Sequence, residues 1–188
     1  MEKFYPQSSA EWRQWLIENH ESEQSVWLIL NKKSSGKSYI SWSEAVDEAL
    51  CFGWIDSKKQ TIDEHTYQQF YCKRKAQTTW SKVNKDKVKK LIEEGKMMPA
   101  GKRAIDVAKK NGSWTIFDDV EKLIIPEDLE LAFTDKPGAK EYFISLSKSN
   151  RKSMLHWIVL AKRESTRMNR INEIVDCAAL KKKPKHIS

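Results

Sequence analysis

The chain has 188 residues, of which 32% are charged, with a net charge of +8, eight Trp and six Phe. This length suits one domain, or one domain with a small appendage, and the bulky aromatic residues favour a folded globular protein over a disordered one. The longest wholly aliphatic run, Leu28 to Leu30, is too short to cross a bilayer, and three scattered cysteines exclude a disulfide framework or a cysteine-based zinc site.

Local signals in the N-terminal part predict an α-β-α-β-β order of elements. Two capping boxes, one beginning at Ser8 and the other at Ser41, place a hydroxyl residue three positions before a glutamate and so predict helix starts. A run of strand-forming residues lies between the two helices, and Gly53 stands where a glycine ends the second one. The predicted elements are a helix at 9–20, a strand at 26–30, a helix from 42 to Gly53, and a β-hairpin of strands 54–62 and 66–73.

Helical patterns dominate after the hairpin. Asn84 is the expected N-cap of a helix that Gly95 ends, and Pro99 suits the first turn of the next helix. The dipeptide Ile125-Pro126 interrupts the helical pattern, and we take it as the domain boundary. Apolar stripes then predict helices within 129–133, 136–147, 150–162 and 168–178, before a lysine-rich, disordered tail at 181–188.

These elements predict an α+β protein. A small antiparallel or mixed sheet of about three strands is covered by helices and followed by an all-helical C-terminal module. The expected organisation is an N-terminal α+β domain with two trailing helices at 1–125, a helical module at 126–180, and the basic tail at 181–188.

Positive charge is concentrated in the middle of the chain. Residues 71–112 hold 13 lysines and arginines against 4 acidic residues, whereas residues 1–70 hold 7 against 11. A solvated, lysine-rich helix is the ordinary explanation, but a basic surface near aromatic rings also suits phosphate contacts and base stacking. Nucleic-acid binding is therefore an alternative function, although no known nucleic-acid module is recognisable. Its candidate residues are Lys82, Lys85, Lys89, Lys96, Lys102 and Arg103.

The hairpin and its flanks alternate aromatic rings with charged and amide side chains, which suits a recognition surface. If a helix ends just before it, Trp54 shares one face of the following strand with Asp56. Arg74 leaves the paired strand and Trp80 opens the next helix, so we expect a groove for a small molecule or peptide there. The competing explanation is structural: the indoles wedge helices against the sheet, Asp56 pairs with Arg74, and the asparagine caps its helix. The candidate ligand-binding residues are Trp54, Asp56, Arg74, Trp80 and Asn84.

No catalytic signature stands out. Cys51, His65 and Asp56 are the only nucleophile, base and acid near enough in sequence to suggest nucleophilic catalysis, and Cys51 ends an apolar helix, where a structural cysteine is common. The histidines are dispersed, without partners at metal-ligand spacing. We therefore expect no catalytic residues, no metal site and no cofactor, and keep a cryptic active site near Cys51 and Asp56 as a third alternative. The four histidines are His20, His65, His156 and His186.

A longer pattern covers nearly the whole chain. Its C-terminal segments are Pro126-Glu127-Asp128-Leu129, Ser145-Leu146-Ser147, Ser149-x-Arg151-Lys152, Trp157-Ile158 and Ala161 to Ile171. Its N-terminal segments are Ala49 to Ser57, Thr79 to Asn84 and Gly95-Lys96-Met97. This pattern resembles the YdeI/OmpD-associated family, which is also described as bacteriocin-protection or OmdA-like.

The resemblance implies a link to resistance against bacteriocins or cationic peptides, and to association with an outer-membrane porin. It carries no established catalytic residues. Family members are often described as periplasmic, whereas this basic chain begins without an apolar secretory segment, and we expect a cytoplasmic location with reduced thiols. The leading expectation is a non-catalytic binding protein connected with envelope stress or antimicrobial-peptide tolerance. Its partner would be a small molecule, a peptide or a protein, with no membrane insertion.

Overall fold

The computed structural model describes residues 2–37, 39–185 and 187, and the chain forms two compact units. Unit 1 ends at Trp114 and unit 2 begins at Thr115, whereas the sequence analysis drew its boundary at 125–126. Each unit has its own core of buried apolar side chains. The predicted α+β class is confirmed, because a four-stranded mixed sheet with helices precedes a helical region.

Unit 1 contains the sheet, whose strand order is β1-β2-β4-β3. The two-residue β1 is parallel to β2 and is additional to the three predicted strands, while the other pairs are antiparallel. The strands are β1 (Lys3–Phe4), β2 (Ser25–Asn31), β3 (Trp54–Thr61) and β4 (Thr66–Lys73). The helices are α1 (Ser9–Asn19), α2 (Trp42–Cys51), α3 (Lys82–Glu93) and α4 (Pro99–Lys110), with a 3₁₀ turn at Lys33–Ser35.

Hydroxyl side chains begin the first three helices of unit 1. The Ser8 Oγ accepts a hydrogen bond from the Glu11 N–H at 3.3 Å, and Ser41 forms the predicted capping box. α3 begins after Ser81, whose Oγ accepts from the Asn84 N–H at 3.2 Å. The prediction that Asn84 is the N-cap is therefore wrong: the serine three residues earlier takes that position and leaves Asn84 inside the first turn.

Side chains of β2 alternate between buried and half-buried positions, as expected of a strand covered on one face. Val26 and Leu28 are fully buried with the tryptophans of α1 in the core of unit 1. The Trp12 Nε1 donates to the Ala45 carbonyl oxygen at 3.0 Å, which ties α1 to α2 and satisfies the polar atom of a buried indole.

α4 approaches the end of α2 very closely, and glycine makes this possible. A Cβ at Gly101 would lie 2.3 Å from the Cys51 carbonyl oxygen, so a larger residue would overlap the backbone. The Met98 N–H donates to the same oxygen at 3.1 Å. A turn at Gly53, with φ of +74°, follows at once and leads into β3. The first turn of α4 therefore lies beside the corner between α2 and β3.

Unit 2 is helical and buries its own apolar core. The Arg167 Nε and Nη2 bind the two oxygens of Asp128, at 2.5 and 2.9 Å, and so join the helices that carry them. Among the described residues of the whole chain, none of the helices combines the length and apolar character needed to cross a bilayer. The helices of unit 2 are α5 (Asp118–Glu121), α6 (Glu127–Thr134), α7 (Ala139–Ser145), α8 (Lys148–Val159) and α9 (Glu164–Ala179).

The end of the chain packs on unit 2 more than its basic composition suggests. Ile187 is only 7% exposed and belongs to the core, and its N–H donates to the carbonyl oxygen of the buried Pro184 at 2.9 Å. The predicted disorder therefore does not hold at these two positions, because Pro184 is buried and Ile187 contributes apolar surface to the core. His186 and Ser188, which the predicted tail includes, lie outside the described residues.

Candidate binding site

Arg74 and Trp80 form a stacked pair at the end of the hairpin in unit 1. The guanidinium carbon of Arg74 lies 3.6 Å from the centroid of the Trp80 ring, and Nη1 donates to the Thr79 carbonyl oxygen at 3.2 Å. The backbone N–H of Arg74 donates to the Gly53 carbonyl oxygen at 2.9 Å. Trp80 is only 1% exposed and fixed by the core. The guanidinium is therefore held in one orientation before any ligand arrives.

The charge of Arg74 is poorly compensated by the protein. Burial lowers its pKa to about 10, against the attraction of Asp56, which acts in the opposite direction. The Nε atom is buried and has no hydrogen-bond partner among the described residues. Within the same residues, no carboxylate forms an ion pair with Arg74. A desolvated cation of this kind is unfavourable unless an anion or another acceptor satisfies it.

Two adjoining depressions open beside Arg74, with volumes of about 230 and 290 Å³. Both are lined by Arg74 from the end of β4 and by Arg103 and Ala104 from α4, and we call the two together the Arg74 cleft. The first depression is completed by Lys75, Ala76, Trp80 and Val107. The second depression is completed by His20, Glu21, Phe52, Gly53, Trp54, Lys73 and Ala100.

Cations outnumber carboxylates in the lining of the Arg74 cleft. Lys73, Lys75 and Arg103 add to the charge of Arg74, and Glu21 is the one acidic residue among the described residues that line either depression. The Arg103 Nη2 lies 3.9 Å from the Glu21 Oε1, at the limit of an ion pair, and the Arg103 side chain is 65% exposed. Lys73 donates to the backbone oxygen of Glu21, so this contact leaves its charge unneutralised.

Small residues bring α4 close enough to form one wall of the cleft. A Cβ at Gly53 would lie 3.0 Å from the Ala100 carbonyl oxygen and 3.2 Å from the Ala104 Cβ. Together with the contact of Gly101 on Cys51, this packing brings Arg103 of α4 into the lining of the cleft.

The structure brings three of the five predicted ligand-binding residues together. Trp80 and Arg74 are in contact, and the buried Trp54 lies in the wall of the second depression, where its Nε1 has no hydrogen-bond partner among the described residues. Asp56 and Asn84 are not in the lining of either depression. The predicted ligand-binding residues did not include Lys73, Lys75 or the α4 residues. The small residues around Gly101 were the available signal for a close helix contact.

Asp56 is held by other partners. Its Oδ2 accepts hydrogen bonds from the Trp42 Nε1 at 2.8 Å and the Gln69 Nε2 at 3.1 Å, next to a bulge in the β3–β4 ladder. The structural alternative that pairs Asp56 directly with Arg74 is not realised, since both side chains are described and no ion pair joins them. Asp56 acts on Arg74 only through its charge.

Several lysines proposed as phosphate contacts are engaged within unit 1. Lys82 binds Asp86 at 2.7 Å, Lys96 binds Glu94 at 2.7 Å, and the Lys85 Nζ donates to the Trp114 carbonyl oxygen at 3.1 Å. Lys89 and Lys102 are exposed on different helices. Arg103 is the one member of this predicted set that lines the Arg74 cleft.

A larger depression, of about 340 Å³, lies between α2 and α3, and most of its charged side chains form ion pairs. Lys87 binds Asp47 at 2.6 Å, and Lys96 binds Glu94 from within its wall. Glu48, also in the wall, binds Arg13 at 2.6 Å. These ion pairs account for the polar character of that depression without a ligand, so we regard the Arg74 cleft as the stronger candidate.

The residues of the third alternative do not come together. Cys51 is fully buried at the end of α2, where burial raises the pKa of its thiol and disfavours the nucleophilic thiolate. His65 lies in the hairpin turn, and its Nε2 is 3.1 Å from the Glu64 carboxylate. The eight residues of β3 separate Cys51 from that turn, a span of roughly 25 Å at about 3.3 Å per residue. In the described parts of the chain, no three potential metal-ligand side chains cluster.

The fold and site define a two-unit α+β protein with a cationic cleft in its N-terminal unit and a helical C-terminal unit. Comparison with protein families gives two matches: residues 4–104 match the domain of unknown function DUF8412, and residues 122–181 match the family described as Bacteriocin-protection, YdeI or OmpD-Associated. Because the first match covers more than half of the chain, the protein belongs to the DUF8412 family, and it carries an OmdA region in unit 2.

The predicted resemblance to the YdeI/OmpD-associated family is thus confirmed at residues 122–181. The description of that family suggests a function related to bacteriocin protection. No curated protein matches the chain. No solved structure matches it either.

Proposed function

We propose that this protein is a non-catalytic binding protein that contributes to bacteriocin or antimicrobial-peptide tolerance from the cytoplasm. In this proposal unit 1 holds a small ligand in the Arg74 cleft. The family description of unit 2 supports the connection with bacteriocin protection. The cleft in unit 1 supports the binding of a ligand, and the buried thiol of Cys51 argues against covalent catalysis.

The observation that carries the proposal is the state of Arg74. Its guanidinium is fixed on Trp80 at 3.6 Å, is largely removed from water and has no carboxylate partner among the described residues, and Arg74 lines both concave depressions. Pre-ordered polar groups in a partly apolar concavity are typical of ligand sites. Their orientation is already determined, so less conformational entropy is lost when a ligand binds.

The test is a ligand-observed NMR screen of a small-molecule library that contains neutral, cationic and anionic compounds. The wild type is compared with Val107→Trp, which places a large ring in the first depression from a position that is 42% exposed. Val83→Trp is the matched control, since Val83 is 57% exposed on α3 and lies outside the cleft lining.

We expect compounds that bind the wild type and the Val83→Trp control but lose binding to Val107→Trp. Equal binding to all three proteins would place the ligand elsewhere and contradict the proposal. The absence of any binding compound would also contradict it. Thermal unfolding of each variant verifies that a loss of binding is not a loss of fold.

Nucleic-acid binding is the competing function. The observation that favours it is the surplus of positive charge in residues 71–112. Three of the predicted nucleic-acid-binding residues in this segment, Lys89, Lys102 and Arg103, are exposed and therefore accessible to phosphates. Phosphate contacts of this kind would make affinity fall steeply with salt. Titration with labelled oligonucleotides at two salt concentrations measures this directly.

A further inference from the structure

We infer that the ligand of the Arg74 cleft is a small organic molecule with a phosphoryl group, held between the guanidinium groups of Arg74 and Arg103. This inference rests on the proposed binding function and specifies the chemical class of the ligand. It follows from the placement of the two arginines, the charge of the lining and the shape of the cleft.

The two arginines approach the same volume from different elements. Arg74 follows β4 and Arg103 belongs to α4, yet both line both depressions. An anion at the junction of the depressions would therefore lie beside both arginines. Guanidinium groups present planar arrays of N–H donors, and phosphate oxygens are among the acceptors they bind best.

The charge of the lining suits a dianion. Four cations line the cleft against one carboxylate, and that carboxylate, Glu21, is 79% exposed and only 3.9 Å from Arg103. A phosphate monoester carries roughly −1.5 to −2 charges at pH 7, whereas a carboxylate carries one. A phosphoryl group therefore balances the lining better than a single carboxylate does.

The remaining lining indicates an organic group and a small ligand. The indole of Trp80 and the side chains of Ala104 and Val107 form an apolar wall in the first depression. Trp80 is only 1% exposed, with Arg74 over its ring, so no face of this indole is open to stack on a nucleobase. Depressions of about 230 and 290 Å³ fit a compact phosphate ester better than a nucleic-acid backbone.

The test uses isothermal titration calorimetry with phenyl phosphate, inorganic phosphate, benzoate and a single-stranded oligonucleotide at physiological salt. The variants are Arg74→Gln and Arg103→Gln, with Lys89→Gln as the matched control. Lys89 loses the same charge from an exposed position of α3 outside the cleft lining. Arg103 is 65% exposed, so Arg103→Gln keeps the test valid even if Arg74→Gln unfolds.

We expect phenyl phosphate to bind more tightly than inorganic phosphate or benzoate. Each arginine variant should bind phenyl phosphate roughly 10-fold to 100-fold more weakly than the wild type, which is the usual effect of losing one charged hydrogen-bonding group. The Lys89→Gln control should change this affinity less than about 2-fold. Benzoate binding as tightly as phenyl phosphate would overturn the phosphoryl assignment. An equal loss of affinity in Lys89→Gln would show that the effect comes from the overall charge of the protein. It would overturn the inference that Arg74 and Arg103 hold the phosphoryl group.

Two further outcomes separate this inference from the proposed function. If neutral compounds from the NMR screen bind in the cleft and neither phosphate does, the inference fails while the binding function stands. If no compound of any class binds, both fail. Tighter binding of the oligonucleotide than of phenyl phosphate, with the same dependence on Arg103, would overturn the small-molecule ligand in favour of nucleic acid.

Discussion

Replacement of Gly101 by alanine tests how α4 is positioned against the corner of α2 and β3. Alanine is the better helix former by about 1 kcal/mol, so an exposed helical glycine would gain stability from this change. Here the new methyl carbon would lie 2.3 Å from the Cys51 carbonyl oxygen and 2.7 Å from the Met97 Cε. The methionine can move, but the carbonyl belongs to the backbone, so α4 has to shift outward.

The size of the effect follows from three contributions. Overpacking a close contact costs about 1–3 kcal/mol, and the shift of α4 also strains the hydrogen bond from the Met98 N–H to the Cys51 oxygen, worth about 1 kcal/mol. The gain in helix propensity offsets about 1 kcal/mol of this. We therefore expect Gly101→Ala to lower the free energy of unfolding by about 1–3 kcal/mol. It should also weaken the binding of phenyl phosphate, because Arg103 moves with α4.

Urea denaturation followed by tryptophan fluorescence measures this change, since seven of the eight tryptophans lie in unit 1. Gly112→Ala is the control at the other end of α4. Gly112 has φ of +81° and no atom within 4 Å of an added Cβ, so this variant reports backbone strain of about 1 kcal/mol without steric overlap. A Gly101→Ala protein as stable as the wild type would refute the close approach of α4 and, with it, the wall of the Arg74 cleft.

Three further changes test separate features. Arg74→Met should alter the free energy of unfolding by less than about 1 kcal/mol, because the lost stacking on Trp80 is offset by relief of a buried charge; a loss above about 2 kcal/mol in urea would contradict this. Asp128→Asn should lower the free energy of unfolding by about 1 kcal/mol at pH 7. Arg167 holds the pKa of Asp128 below its usual range, so the difference from wild type should shrink as the pH falls through that lowered pKa in pH-dependent unfolding; a constant difference would exclude the pair as its source. Ile187→Ala should lower the free energy of unfolding of unit 2 by about 2–5 kcal/mol in thermal unfolding followed by circular dichroism, and no change would show that Ile187 adds nothing to the core.

Local signals predicted much of the fold of unit 1. The capping boxes at Ser8 and Ser41 specify helix starts through contacts within four residues, and the hairpin is specified by alternation on two adjacent strands. The pairing of β1 with β2 involves two residues joined across α1, so no local pattern encodes it. The cap of α3 was misassigned because Ser81 and Asn84 are both good capping residues, and sequence alone did not choose between them.

The candidate site was predictable only where it is local. Arg74 and Trp80 are six residues apart around the end of one strand, and their proximity followed from the hairpin and the next helix. Arg103 reaches the same site through the packing of α4 on Gly53 and on the end of α2, a contact between residues about fifty positions apart. The expected pairing of Asp56 with Arg74 failed because neighbouring indole and amide groups satisfy this carboxylate instead.

The two charged depressions of unit 1 differ in a way that bears on function. Between α2 and α3, Lys87 and Lys96 each bind a carboxylate of the same wall, at 2.6 and 2.7 Å. In the Arg74 cleft, a largely buried guanidinium lacks such a partner within the described residues, although burial makes an unpaired charge costly. Because a cation left unpaired there opposes folding while it favours anion binding, the contrast argues that the charge of the Arg74 cleft serves a ligand rather than the stability of the fold.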